Sequence, residues 1–251
     1  MAKNFWFVVE RVIKESDIIV EVLDARFIEE TRNKELERKV KKANKKLIHA
    51  INKADLIKDF VDDIALPFKN FVFISAKENL GTSRLRSMIK DLCKKRPLNV
   101  GIVGYPNTGK SSLINTLKQK RAAGTSSAPG FTKGMQKIKV SEGIYLIDTP
   151  GVIHYRLEDE ADQAIINTKD VNKIKDPEAV AIRIIDKIVS VDQKILEDFY
   201  NIKCKQLHED TLREIAVRFN WLLKGGEPNI DLTARRIIQD WQRGKLIVKI
   251  N

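Results

Sequence analysis

Gly104-Tyr105-Pro106-Asn107-Thr108-Gly109-Lys110-Ser111 fits G-x-x-x-x-G-K-[ST], and this stretch restricts the fold of the chain more than any other. The pattern cradles phosphate only when it lies between a strand and a helix. Upstream, Leu98-Asn99-Val100-Gly101-Ile102-Val103 is apolar and β-branched enough for a short buried strand. Downstream, Ser111 to Leu117 reads as the start of a helix. Gly104 and Gly109 let the backbone curl, so that successive N–H groups converge on phosphate oxygens. The positive end of the helix faces the same anion. Lys110 is then placed to reach β- and γ-phosphates, and Ser111 to hold Mg²⁺. Asn107, Thr108, Gly109 and Ser112 complete the candidate cradle. On these residues alone, a glycine-containing turn with an exposed lysine would look the same. The rest of the chain decides between the two.

Upstream of this stretch, apolar positions at Phe5, Val8, Val9, Val12 and Ile13 have helical spacing and predict an amphipathic helix over 4–15. Ile18 to Leu23 reads as a strand ending in Asp24-Ala25-Arg26, either a local ion pair or a functional element. Residues 33–46 read as a basic helix, either a solvated face or a surface for RNA. Lys46 to Ile51 is a second strand, on which His49 is expected to be packed or at an edge, without a partner for catalysis. Asn52-Lys53-Ala54-Asp55 follows directly. N-K-x-D after a strand is the guanine-specificity signature. Asp55 can accept from guanine N1–H and the 2-amino group, two donors that adenine does not offer in that arrangement. Asn52 would fix the loop and the purine edge, and the Lys53 stem would cover the ring. Phe71 to Ile74 is a third strand and ends in Ser75-Ala76-Lys77, the companion motif whose Ala76 N–H meets guanine O6. Gly81 and Thr82 then open a helix reaching about Cys93.

Downstream, Gln119 to Gly134 is rich in Gly, Ser, Thr and Ala and reads as a mobile loop. It carries Thr132, in the place of a switch threonine that closes on Mg²⁺ and the γ-phosphate. Met135 to Val140 and Ile144 to Ile147 are strands, and the second ends in Asp148-Thr149-Pro150-Gly151. D-x-x-G supplies a carboxylate to the magnesium shell and a glycine that bonds the γ-phosphate. Four motifs thus sit at strand ends, where an α/β sheet places its ligand. Together they predict binding of GTP and GDP.

Their order is unusual. Ordinary GTPases run from the P-loop through the switch threonine and D-x-x-G to N-K-x-D and S-A-K. Here the last two come first, so the parts are circularly permuted. In this order, the chain resembles the circularly permuted ribosome-assembly GTPases, the YlqF/RbgA-like family. The likeness extends through Asp24-Ala25-Arg26 and Pro129 to Thr132, and on to Lys224-Gly225-Gly226-Glu227-Pro228-Asn229 and Ala234 to Leu246. It implies an α/β fold with a circularly permuted P-loop GTPase domain over 1–160, a mostly parallel sheet flanked by helices, and a C-terminal all-α domain over 161–251. It also implies a GTPase acting on the large ribosomal subunit, with rRNA and ribosomal proteins as partners. Lys110, Thr132 and Gly151 would serve catalysis, and Ser111, Thr132 and Asp148 would hold Mg²⁺. Some members begin with a Pro-Gly-His-Met segment. This chain begins Met1-Ala2-Lys3-Asn4, and none of His49, His154 and His208 carries over to that histidine's role.

In the C-terminal part, Asp176-Pro177-Glu178 is a strong helix start. Leu212, Ile215, Ala216, Phe219, Leu222 and Leu223 read as the stripe of another helix, stopped by Gly225-Gly226. Ile237, Ile238 and Trp241 pack one side of the next, ended by Gly244. Arg213, Arg218, Lys224, Arg235, Arg236, Arg243 and Lys245 offer a phosphate-tracking surface, of which about half is expected only to solubilise helix faces. The 251 residues carry a formal net charge of +12, which favours an anionic partner, nucleic acid or an acidic membrane surface. No apolar run is long enough to span a bilayer. Cys93 and Cys204 stand alone, as structural thiols in a reducing compartment do. A cytoplasmic monomer is expected.

A chemical gap remains after D-x-x-G. Some GTPases orient the attacking water with a Gln there, but this chain has Val152. An apolar side chain cannot accept from water, so intrinsic hydrolysis is expected to be slow. The missing help comes either from the ribosome or from a monovalent cation, and Asn107 is where potassium-dependent relatives place a K⁺ ligand. The alternative is a GTP-dependent placeholder that docks on RNA and does little chemistry.

Overall fold

The computed structural model describes residues 2–58, 61, 64–118, 136–148 and 159–248, with backbone only at 2–5, 136 and 148. The chain divides into two compact units, residues 1–155 and 156–251.

The first unit is built on a six-stranded sheet of order β3-β2-β1-β4-β6-β5. Its strands are β1 (Ile18–Asp24), β2 (Lys46–Asn52), β3 (Phe71–Phe73), β4 (Leu98–Val103), β5 (Gln136–Ser141) and β6 (Ile144–Asp148). Five run parallel, and β5 pairs antiparallel with β6 at one edge. Every residue of β1 is buried, as a central parallel strand covered on both faces requires. The helices are α1 (Ala2–Glu15), α2 (Ile28–Thr31), α3 (Lys34–Lys42), α4 (Thr82–Leu92) and α5 (Lys110–Lys118). On one face Val20, Ile48, Val100 and Ile102 meet Leu85 and Ile89 of α4 and Leu113 and Leu117 of α5. Elements α1 and α3 cover the other face.

That second face holds a buried carboxylate within an otherwise apolar strand. Glu21 accepts the Asn33 N–H at 2.8 Å, and Asn33 in turn caps α3 by accepting from Leu36 N at 2.9 Å. Burial pushes the Glu21 carboxyl up, against the opposing pull of His49. His49 is buried, with Nε2 3.3 Å from Glu21 and 3.2 Å from Glu37 and its ring stacked on Phe68. Glu21, Glu37 and His49 have a spacing that a metal ion would accept; Arg32 donates to both Glu37 oxygens, while Glu21 Oε2 and His49 Nδ1 have no hydrogen-bond partner among the described residues. The basic helix expected over 33–46 is confined to Lys34–Lys42, because Asn44 turns left-handed at φ 52° and releases the chain into β2.

The second unit is helical: α6 (Glu160–Ile165), a 3₁₀ turn (Val171–Lys173), α7 (Pro177–Asp192), α8 (Lys194–Tyr200), α9 (His208–Arg218) and α10 (Ile230–Gln242). Asp176 caps α7 by accepting from Ala179 N at 3.0 Å, with Pro177 in the first turn. Ile184, Ile185, Ile188, Leu212, Ile215, Ile237, Ile238 and Trp241 form its core. One expectation needs correction. The stripe through Leu223 is not one helix, since α9 ends at Arg218 and Asn220 turns left-handed at φ 55°. Phe219, Leu222 and Leu223 are exposed, and Leu222 bridges to Pro228 in a hairpin-like turn. The Gly225-Gly226 pair therefore serves that turn rather than a helix end. A mostly parallel sheet between helices, followed by a helical unit, is the architecture the motifs predict.

Candidate nucleotide site

Because β1, β2, β3, β4 and β6 run parallel, their C-terminal ends share one edge of the sheet. Asp24, Asn52, Ser75, Gly104 and Asp148 all lie at that edge. Asp24 and Asn52 are register partners across β1 and β2.

The loop after β4 curls as its glycines allow. Gly104 has φ 149°, and a Cβ there would lie 2.4 Å from the Val22 carbonyl. Gly109 has φ 95°, and a Cβ there would lie 2.1 Å from Asn52 Nδ2. Asn107 adopts a left-handed φ of 60°, which asparagine tolerates better than most residues. Buried Thr108 donates through Oγ1 to the Tyr105 carbonyl at 2.9 Å, closing the loop on itself. Lys110 Nζ also donates to the Tyr105 carbonyl, so its ammonium lies back along the loop. Ser111 and Ser112 are exposed in the first turn of α5, where backbone N–H groups lack helical partners. Leu113 N is the first to close, on the Gly109 carbonyl at 2.9 Å.

Asn52 ties this loop to the guanine motifs. Its Nδ2 donates to the Thr108 carbonyl at 2.8 Å, and its Oδ1 accepts from Ala76 N at 3.0 Å. Both ends of the side-chain amide thus serve loop-to-loop bonds, and in this structure Ala76 N–H is directed at Asn52. A second tie runs through Thr116 Oγ1 of α5, 3.0 Å from the Ala76 carbonyl. Arg86 of α4 donates to the Leu117 carbonyl at 2.8 Å near the end of α5. Ser75 is buried, exchanges backbone hydrogen bonds with Leu80, and accepts Glu78 N through Oγ at 3.1 Å. Lys77 follows Ala76 at the surface side of this turn.

Lys53 has a left-handed φ of 65°, and Asp55 sits two residues on in a 3₁₀ turn, half-buried. Lys53 Nζ lies 2.6 Å from Asp24 Oδ2. Arg26 doubles back on the same carboxylate, with Nε 3.0 Å from Oδ1 and Nη2 2.8 Å from Oδ2. Its backbone N–H adds a third bond to Oδ1 at 3.1 Å. Burial pushes the Asp24 carboxyl up, but the Arg26 bonds and the Lys53 charge outweigh it and hold it below its ordinary value. Burial lowers the Lys53 ammonium, with Asp24 opposing. Asp24-Ala25-Arg26, open between ion pair and function, is an ion pair whose third member is the lysine of N-K-x-D.

The structure therefore brings together Asn52, Lys53, Asp55, Ser75, Ala76 and Lys77 with Asn107, Thr108, Gly109, Lys110, Ser111 and Ser112. Asp148 closes β6 at the same edge, with its side chain outside the description. Thr132 and Gly151 lie outside the described residues. The pairing of Asp24 with Lys53 and the full use of the Asn52 amide within the protein carry no local signal and emerge only from the fold.

Comparison with known proteins agrees with this geometry. Residues 99–215 match the model of a family described as 50S ribosome-binding GTPase. An uncharacterized GTP-binding protein of Methanocaldococcus jannaschii is 44% identical over 95% of this chain and 65% of its own length. A nuclear/nucleolar GTPase 2 of Arabidopsis thaliana is 34% identical over 98% of this chain and 44% of its own. This chain thus spans less than two thirds of these relatives. The crystal structure of GNP-bound YlqF from T. maritima superposes with a TM-score of 0.64 at 25% identity, covering 95% of this chain and 93% of that one. A GDP-bound YlqF structure gives 0.67 at 22% identity, over 97% and 98%. The motif order, the shared edge of the sheet and these likenesses agree: the chain has the fold of the circularly permuted GTPase YlqF and is similar to GTP-binding proteins of that kind.

Proposed function

We propose that this protein binds GTP and hydrolyses it to GDP and phosphate, and that the nucleotide state controls its docking on the large ribosomal subunit during assembly. The observation that carries the nucleotide part is Asn52, which bonds the loop of the phosphate cradle and the S-A-K turn at once. A shared anchor of that kind serves a ligand with a phosphate end and a base end. Asp55 would accept from the guanine edge, Lys110 and the N-terminus of α5 would hold the β- and γ-phosphates, and Ser111 and Asp148 would hold Mg²⁺. The donor set fits that ion, since a hydroxyl and a carboxylate are the oxygen ligands Mg²⁺ selects. Bound Mg²⁺ would neutralise charge on the phosphates. Thr132 and Gly151 are proposed as the γ-phosphate sensors.

The ribosomal part is supported by the names of the relatives and by the +12 charge of the chain. GTP-bound protein would hold large subunits more tightly than GDP-bound protein. A monomer in the cytoplasm, where such subunits mature in cells without a nucleus, fits this role. The test is GTP turnover in potassium buffer with large subunits, with small subunits, and alone. A large rise specific to large subunits is expected. No rise with either would leave nucleotide binding intact and remove the ribosomal partner.

Val152 favours a second reading, in which the GTP-bound chain is an RNA-docking placeholder of little turnover. Tight GTP-dependent binding to large subunits without stimulated turnover would select it.

A further inference from the structure

Between α1 and α3 lies an open cleft of about 460 Å³ lined chiefly by lysine: Lys14, Lys39, Lys42 and Lys45, with Glu10 and with Ile13 in its wall. The spacing explains the lining. Glu10, Ile13 and Lys14 fall on one face of α1, and Lys39 and Lys42 stand three apart on α3. One lysine is already committed. Lys39 Nζ is 2.6 Å from the Glu10 carboxylate and 4.7 Å over the Trp6 ring, a neutral pair that joins the two helices. It also uses the carboxylate of Glu10. Lys14 and Lys42 are exposed and have no ion-pair partner among the described residues. Lys45 acts on Asp17 only at a distance, and that carboxylate lies 2.8 Å from Lys95. Three lysines outside that pair thus line one concave space, their stems forming much of its wall, with Glu10 as the one carboxylate in the lining.

We propose that this cleft seats the phosphodiester backbone of RNA. The inference rests on the ribosomal reading above and deepens it, by giving the first unit an RNA-holding face of its own. Lysines on flexible stems are point charges that suit phosphates in any sequence, and no arginine fork is present in the lining to read base edges. A concave wall receives the ridge of a strand, whereas a bilayer presents a flat surface. None of the lining residues belongs to the strand-end loops, so RNA binding here and nucleotide binding there are separable.

The test uses the full chain, a labelled single-stranded RNA of mixed sequence and anisotropy titrations at several potassium chloride concentrations. Replacing Lys14, Lys42 and Lys45 together by Ala should weaken binding about tenfold or more. It should also lower the slope of log affinity against log salt by about 2, near 0.7 per lost phosphate contact. GDP affinity and the circular dichroism spectrum should stay as in the parent protein. A Lys34→Ala, Lys41→Ala double variant, on α3 but outside the cleft, should bind RNA nearly as the parent does. The inference is overturned if the triple variant keeps the parental affinity and slope, or if the control loses as much as the triple. It is overturned equally if the parent binds no RNA, or if the triple loses only binding to anionic lipid vesicles. Subunit-stimulated GTP turnover, measured on the same samples, shows whether the ribosomal reading survives such a failure.

Discussion

Asn52 Nδ2 donates to the carbonyl of Thr108, a residue 56 positions further along the chain, at 2.8 Å. The bond exists only because position 109 has no side chain, since a Cβ there would lie 2.1 Å from that nitrogen. The glycine of the phosphate loop and the asparagine of the base loop are one structural device. Gly109→Ala should therefore destabilise in two ways, by strain at φ 95° and by expelling the Asn52 amide. Asn52→Ala should cost about 1–3 kcal/mol through the unpaired Ala76 N–H and Thr108 carbonyl, with a roughly tenfold loss of GDP affinity, which corresponds to about 1.4 kcal/mol. In urea unfolding, the double variant should be less destabilised than the sum of the singles, by about 0.5–3 kcal/mol. Additive losses would show that the two residues act independently.

The Asp24 carboxylate makes stability depend on acid. Its folded pKa lies below the ordinary 3.8, because the bonds from Arg26 and Lys53 outweigh burial. A depressed carboxylate stabilises the fold fully above its unfolded pKa, and loses that contribution as pH falls through the folded one. Asp24→Asn should thus be less stable than the parent at pH 6, with two cations left unneutralised. The gap should shrink progressively below about pH 4, where the parent's own carboxyl takes up its proton. Thermal melting of both proteins across this range is the measurement. A gap of constant size down to acid would mean that the carboxylate charge is not what holds Lys53 and Arg26.

In the helical unit, Trp241 is buried and donates through Nε1 to the Ile165 carbonyl at 2.8 Å. Trp241→Phe keeps most of the apolar volume but strands that carbonyl. The cost should be about 1–3 kcal/mol, read by circular dichroism as a lower urea midpoint. Because Trp241 lies outside the strand-end loops, GDP affinity should not change. A midpoint equal to the parent's would show that water replaces the indole donor without loss.

What the sequence could say depended on the range over which each signal acts. The strand–loop–helix at 98–118 was legible because its motif, its glycines and its flanking apolar runs are local. The edge of the sheet that carries the site followed from strands that each end in a motif. Asp24 with Lys53 was not legible, because the partners are 29 positions apart and either could have paired with a nearer residue. Glu21 was hidden for the opposite reason. Within an apolar strand it looks like an interruption, and only the fold brings the Asn33 N–H and His49 to it. The stripe through Leu223 misled because periodicity counts apolar residues without knowing which are exposed. Asn220 at φ 55° ends the helix before the stripe does. Among the basic residues of this unit, Arg235 donates to Asp231 and to the Val171 carbonyl, and Lys245 pairs with Asp240. Lys224, Arg236 and Arg243 have no ion pair among the described residues, so the split between structural and available charge needed coordinates.

Asn107 separates a cation ligand from a backbone role. Its φ of 60° suits asparagine or glycine, so Asn107→Ala would confound loss of the amide with strain. Asn107→Gly keeps the turn and removes the side-chain oxygen. If that oxygen holds K⁺ against the phosphates, the glycine variant should retain GDP affinity and thermal stability. Its GTP turnover in potassium should then fall to the rate the parent shows in sodium, with subunits present in both cases. A side chain that only shapes the loop predicts the reverse, a potassium response preserved in the glycine variant. That outcome would leave the charge-neutralising help to the ribosome.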